Sequence, residues 1–171
     1  MKLAADANVL LAAVLGGRAR LFLGSSEIEE ILTAETTFAE VEQYAVVLAK
    51  KRRLPTDLLL LAVASLPVTI VDRETYANSI SEAKRRISRR DPDDVDILAL
   101  AIQFHIPIWS NDKDFEDSGI QQYTTEDLLR KFGMLERSKA GRRRVPRKQL
   151  VYTTVAQATH QHGGPGLNHG G

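Results

Sequence analysis

Residues 91–112 read DPDDVDILALAIQFHIPIWSND. Asp91 suits a helix N-cap, and Pro92 suits the first helical position, where its missing N–H costs nothing. An apolar run follows, so the stretch predicts a helix over 91–105. The segment IPIWSND (106–112) then reads as a short strand running out at Asp112.

Upstream the chain alternates in the same way. KLAAD (2–6) is a short buried strand ending at Asp6, and ANVLLAAVL (7–15) is helical until Gly16-Gly17 interrupts it. RARLFLGS (18–25) resumes the helix, and EEILTAE (29–35) is a second strand. Residues 37–53 form an amphipathic helix, with Phe38, Val41, Ala45 and Leu48 at three- and four-residue steps. Pro55 opens another helix, VTIV (68–71) is a β-branched strand, and 73–88 is a polar helix. Residues 121–133 give a short strand and a last helix that stops at Gly133. Strands alternating with helices imply parallel pairing, hence a three-layer α/β/α fold around a central, mostly parallel sheet.

Composition bounds the chemistry. The 171 residues contain no cysteine, which excludes thiol catalysis, disulfides and cysteine-ligated zinc, and suits a reducing cytoplasm. No signal peptide is expected, and no apolar run approaches the roughly 18 residues of a membrane span. The net charge of +1 conceals an asymmetry. From Glu136 onward seven Lys or Arg stand against one acid, a local +6, which leaves −5 on the first 135 residues. Two parts follow: a domain over 1–133, and a basic extension over 134–171 ending in a Gly/His-rich tail that is expected to be disordered.

Four carboxylates stand beside apolar elements. Asp6 follows the first strand, Glu40 opens the long helix, Asp94 lies in the aspartate cluster, and Asp112 follows the fourth strand. In a parallel sheet, strand ends and helix starts converge on one edge, where sites form. Two charges about 5 Å apart repel by roughly 3 kcal/mol at an effective dielectric near 20. Such a pocket takes up protons or cations, and oxygen-only donors favour Mg²⁺ or Mn²⁺. An ion of that kind serves phosphodiester hydrolysis. Read singly, each acid except Asp6 also has a structural account. Asp93 and Asp94 complement a helix dipole, Thr37-Phe-Ala-Glu40 matches a capping box, and Asp112 is a turn former.

Taken together, DANVLL, FAEVEQY and DPDDVDILALAIQFHIPIWSNDKDF resemble the PIN-domain family, including VapC-type toxins, over about residues 1–133. The resemblance implies a metal-dependent ribonuclease whose acidic quartet is Asp6, Glu40, Asp94 and Asp112. It also implies in-line attack by water that leaves 5′-phosphate and 3′-hydroxyl ends. Asp94 is selected by its place seven residues before Ala101. Asp96 is a rival, about 200° round the helix from Asp94, so both cannot face one ion. Asn8 and Ser110 match polar positions beside the first and last acids and are expected to support them by hydrogen bonds, with Asp114 a further acid near the site.

The expected activity is hydrolysis of RNA, with loops near Arg18–Arg20 and 84–90 setting selectivity. Expected partners are RNA, a cognate antitoxin protein and a second copy of the chain. Two other classes stay open. One is a PIN-like module that binds RNA or protein without cutting, although four mutually repelling acids argue against it. The other is a phosphoacceptor domain, which lacks the required second acid because Asn8 stands in its place. In the extension, RRRVPRK (142–148) is either a solvated tail or a patch for RNA phosphates. QLVYTTVA (149–156) could add a strand, and His160, His162 and His169 read as a flexible tail rather than metal ligands.

Overall fold

The structure is a computed structural model that describes residues 1–87 and 93–134. Five strands, β1 Lys2–Ala5, β2 Glu30–Ala34, β3 Thr69–Val71, β4 Ile108–Trp109 and β5 Gln122–Tyr123, form one sheet in the order β3-β2-β1-β4-β5. Every pairing is parallel, with Leu3 beside Ile31, Ala5 beside Trp109, Thr33 beside Ile70, and Trp109 beside Tyr123. The helices are α1 Ala7–Val14, α2 Glu35–Arg52, α3 Thr56–Ala64, α4 Arg73–Ile87, α5 Val95–Phe104 and α6 Thr125–Lys131.

Side chains alternate across the sheet and build two cores. Leu3, Ala5, Ile31 and Trp109 face one layer, where Val9 and Leu10 of α1, Val41 and Ala45 of α2, and Leu128 of α6 meet them. Ala4, Leu32, Ala34 and Ile108 face the other, against Tyr76 and Ala83 of α4 and Leu98 and Ala101 of α5. The central strands β1, β2 and β4 are therefore mostly buried on both faces, which is why they read as apolar runs rather than as alternating ones. This is the three-layer arrangement expected from the element order. Each fully buried Leu or Ile in these layers contributes about 1.5–3 kcal/mol.

Three local expectations are corrected. Residues Arg18–Phe22 form a 3₁₀ turn, not a resumed α-helix, and bury Ala19 and Phe22. Helix α2 starts at Glu35 directly off β2, with Ala34 as an N-cap that offers no side-chain bond. Thr37 is thus already inside the helix, and Glu40 lies in its second turn, so the pair is not a capping box. Helix α5 starts at Val95 with Asp94 in the cap position, later than the proline predicted. Asp91 and Pro92 lie outside the described residues, as do Arg89 and Arg90, the extension beyond Met134 and its histidines.

The sheet order sets where a ligand would sit. From β1 the chain moves outward to β2 and β3, then returns to β4 on the other side. The order reverses between β1 and β4, and the crevice beyond their carboxyl ends is the switch point at which open α/β sheets bind ligands. Asp6 and Ser110 are the first residues past those two strands.

Candidate active site

Asp6 is held from four sides. Its backbone N–H donates to the Trp109 carbonyl at 3.1 Å, which continues the β1–β4 ladder by one step. Its Oδ1 accepts from the Ala7 N–H at 2.6 Å. Its Oδ2 accepts from Asn8 Nδ2 and from the Ser110 hydroxyl, both at 2.7 Å. The residue is buried, at 6% exposure, so these donors replace lost hydration of the carboxylate. The sequence alone makes this arrangement accessible: a short apolar strand delivers the acid to the edge, and the next residue turns into α1.

Ser110 is the junction of the network. It is completely buried, and its Oγ donates to Asp6 while accepting from Asn8 Nδ2 at 3.0 Å and from the Asp112 N–H at 3.0 Å. A hydroxyl has one donor and two acceptor sites, and all three are used. Asp112, exposed at the crevice, accepts on Oδ1 from the Lys113 N–H at 2.6 Å. Asp6, Asn8, Ser110 and Asp112 are therefore one connected unit spanning the ends of β1 and β4.

Several side chains that sequence reasoning did not single out hold this unit in place. Gln122 Nε2 on β5 donates to the Ser110 carbonyl at 3.1 Å and to the Asp112 carbonyl. Asn111 donates its N–H to Asn8 Oδ1 at 3.3 Å and accepts from the Thr125 N–H at 2.9 Å, tying the loop to α6. Trp109 packs edge-on against Phe22, with ring centres 5.6 Å apart, and donates Nε1–H to Thr125 Oγ1 at 3.2 Å. The paired Asn and Asp of SNDKD carried a turn signal, but nothing local revealed Gln122.

Glu40 lies in the second turn of α2 and Asp94 at the start of α5, and both are half-buried. Asp94 stands in the cap position of α5 without a side-chain cap bond to it. Asp114 is half-buried in the turn that follows Asp112. Asp96 is engaged by two other helices: Oδ2 accepts from Thr36 Oγ1 at 3.1 Å and Oδ1 pairs with Arg73 Nε at 3.2 Å. Beneath it the fully buried Tyr76 hydroxyl has no hydrogen-bond partner, with Thr36 close to it but short of bonding geometry. Burial pushes the Tyr76 phenol up, and the neighbouring Asp96 charge pushes it further.

Among the described residues, no three acidic or histidine side chains stand close enough together to hold one metal ion as a closed cage. The donor chemistry still fits a hard divalent cation. The edge offers carboxylate oxygen without sulfur or imidazole, and Mg²⁺ binds through one or two carboxylates, retaining several waters. Asp6 and Asp112, linked through Ser110, meet that lesser requirement by type.

The model of the PIN domain matches residues 5–133 of the chain. The chain belongs to the PIN-domain family. The structural likenesses agree. The protein is similar to VapBC2 from Rickettsia felis bound to a DNA fragment from its promoter, with a TM-score of 0.57, 16% identity, and coverage of 72% of this chain and 98% of that one. It is also similar to FitAB bound to an IR36 DNA fragment, with a TM-score of 0.56, 18% identity, and coverage of 73% and 95%. VapBC-1 from nontypeable Haemophilus influenzae follows at 0.52, 13% identity, and coverage of 74% and 99%. At these identities the likeness is one of fold. No curated protein matches the chain. No helix among the described residues of this PIN domain is long and apolar enough to cross a membrane.

Proposed function

We propose that this PIN domain is a Mg²⁺- or Mn²⁺-dependent endoribonuclease, the toxin of a toxin–antitoxin pair that acts in the cytoplasm. The observation that carries the reading is the buried Asp6 carboxylate at the switch point, held by Ala7, Asn8 and Ser110 and joined through Ser110 to Asp112. Such preorganisation has a chemical use in orienting a charged group toward a cation and a phosphate.

Asp6 and Asp112, joined through Ser110, would hold the ion, with Asp94 acting through its bound waters and Glu40 orienting the attacking water. The bound ion would supply Lewis acidity and lower the pKa of that water. Asn8 and Ser110 keep Asp6 in one rotamer. Gln122 holds the Ser110 and Asp112 carbonyls and so fixes the backbone that carries Asp112. None of these groups reads a base, so selectivity would come from loops around the edge.

The reading of a partner rests on two supports. The structural neighbours are described as VapBC and FitAB assemblies. In addition, α2 and α3 expose apolar pairs three residues apart, Tyr44 with Val47 and Leu58 with Leu61, each side chain more than half exposed. Exposed apolar pairs on adjoining helices suit a protein partner, an antitoxin or a second copy of the chain.

The test is cleavage of a single-stranded RNA by the full chain with Mg²⁺ or Mn²⁺, with chelator, and with Asp6→Asn. Metal-dependent cleavage that Asp6→Asn abolishes supports the proposal. RNA binding without cleavage in either metal would favour the non-cutting module instead, the reading to which the open arrangement of the acids also lends itself.

A further inference from the structure

We propose that Asp96 is a positioning residue whose carboxylate ties the first turns of α2, α4 and α5 together and so sets the spacing of Glu40 and Asp94. The inference rests on the nuclease reading above and concerns the same edge.

Asp96 sits in the first turn of α5, two residues beyond Asp94. Its side chain is 15% exposed, so its charge needs partners from the protein. Both oxygens find them on other helices. Oδ2 accepts from Thr36, the second residue of α2, at 3.1 Å, and Oδ1 accepts from Arg73, the first residue of α4, at 3.2 Å. One carboxylate therefore spans three helix starts that issue from separate segments.

Helical geometry connects this node to the candidate ligands. Residues four apart share one face of a helix. Thr36 and Glu40 are four apart on α2, so the bond that turns Thr36 toward α5 also turns the face bearing Glu40 toward α5. Asp94 stands at the start of α5, on the segment that Asp96 anchors. Loosening Asp96 frees the two acids to move apart. Among the described residues, the Asp96 carboxylate takes its hydrogen bonds from Thr36 and Arg73.

A direct-ligand role for Asp96 makes a different prediction, because removing the Thr36 hydroxyl would leave the Asp96 charge untouched. The experiment is calorimetric titration of the full chain with Mn²⁺ alone, for wild type, Thr36→Val, Thr36→Ser and Asp96→Asn, with thermal melts alongside. Thr36 is exposed, so Val is tolerated by the fold. Thr36→Val should weaken Mn²⁺ affinity by roughly tenfold, the low end for groups that orient metal ligands. Thr36→Ser should restore it to about the wild-type value, and Asp96→Asn, which keeps an acceptor for Thr36, should lie between. Wild-type affinity in Thr36→Val overturns the positioning role and leaves the metal site standing. Loss in Asp96→Asn with none in Thr36→Val makes Asp96 a ligand and also overturns it. If wild type binds no Mn²⁺, the nuclease reading falls and this inference falls with it.

Discussion

The Ser110 hydroxyl, at the end of β4, donates to Oδ2 of Asp6, at the end of β1, over 2.7 Å. The two residues are 104 positions apart in the chain, and both are buried. Ser110→Ala would remove one donor to Asp6 and the acceptor used by Asn8 and the Asp112 N–H. Leaving buried polar groups unmatched costs about 1–3 kcal/mol. Because Asp6 keeps Ala7 and Asn8, destabilisation at the lower end of that range is expected, together with slower RNA cleavage. Urea unfolding of both forms checks this, and equal midpoints would mean that water replaces the hydroxyl without cost.

Asp94 and Asp96 separate the two roles in the aspartate cluster. Asp94→Asn should abolish RNA cleavage, because Asp94 is the acid that the proposed quartet takes from this segment. Asp96→Asn should retain most of the rate at saturating Mn²⁺, because it keeps the acceptor for Thr36. Single-turnover cleavage across a Mn²⁺ series measures both. The reversed pattern would move the metal-facing acid two residues along the helix.

How far these features could be read from the sequence depended on distance along the chain. The strands and helices were legible because KLAA and TIV are short, apolar and uninterrupted, whereas residues 37–53 repeat at helical steps. Helix starts were less legible. Thr37 and Glu40 have the spacing of a capping box, but β2 runs straight into α2, and the first turn forms two residues earlier. Asp6, Asn8, Ser110 and Asp112 carry local signals, an acid or a small polar group just past an apolar strand. Gln122, Thr36 and Arg73 carry none, because their partners come from other elements and only the fold brings them together. The same limit applies to Asp96, which proximity alone made a rival of Asp94.

The start of α6 gives a pH-dependent prediction. Thr124 and Asp127 form a reciprocal capping box: Thr124 Oγ1 accepts from the Asp127 N–H at 3.1 Å, and Asp127 Oδ2 accepts from the Thr124 hydroxyl and N–H at 2.6 and 3.0 Å. The hydroxyl first, and then the N–H, hold the Asp127 carboxyl below its ordinary value of 3.8. A lowered folded-state value means that the stabilisation is present above the unfolded value. It is lost as pH falls through the folded one. Asp127→Ala should therefore cost about 0.5–1 kcal/mol at pH 7, a modest figure for a side chain 44% exposed. The gap from wild type should narrow below about pH 4. Chemical denaturation at pH 7 and pH 3 checks the sign, and a gap that widens in acid would contradict it.

The basic extension gives the last prediction. Residues 1–135 carry a net −5, and the candidate site adds carboxylates to the edge that must receive a polyanion. The seven Lys and Arg after Leu135 are the chain's largest compensating charge. If they pair with phosphates, they release counterions, and truncation after Leu135 should weaken RNA affinity and flatten its salt dependence. The expected change is about 0.7 in the log–log slope for each phosphate of a single strand that the extension neutralises. The acids lie within residues 1–134, so the truncated protein should keep its Mn²⁺ affinity and its cleavage rate at saturating RNA. The measurement is fluorescence anisotropy of a labelled single strand in chelator, across a salt series, for the full and truncated chains. Identical affinity and slope would mean that the extension serves something other than RNA. A truncated chain that loses Mn²⁺ binding would mean that the extension supports the fold of the site itself.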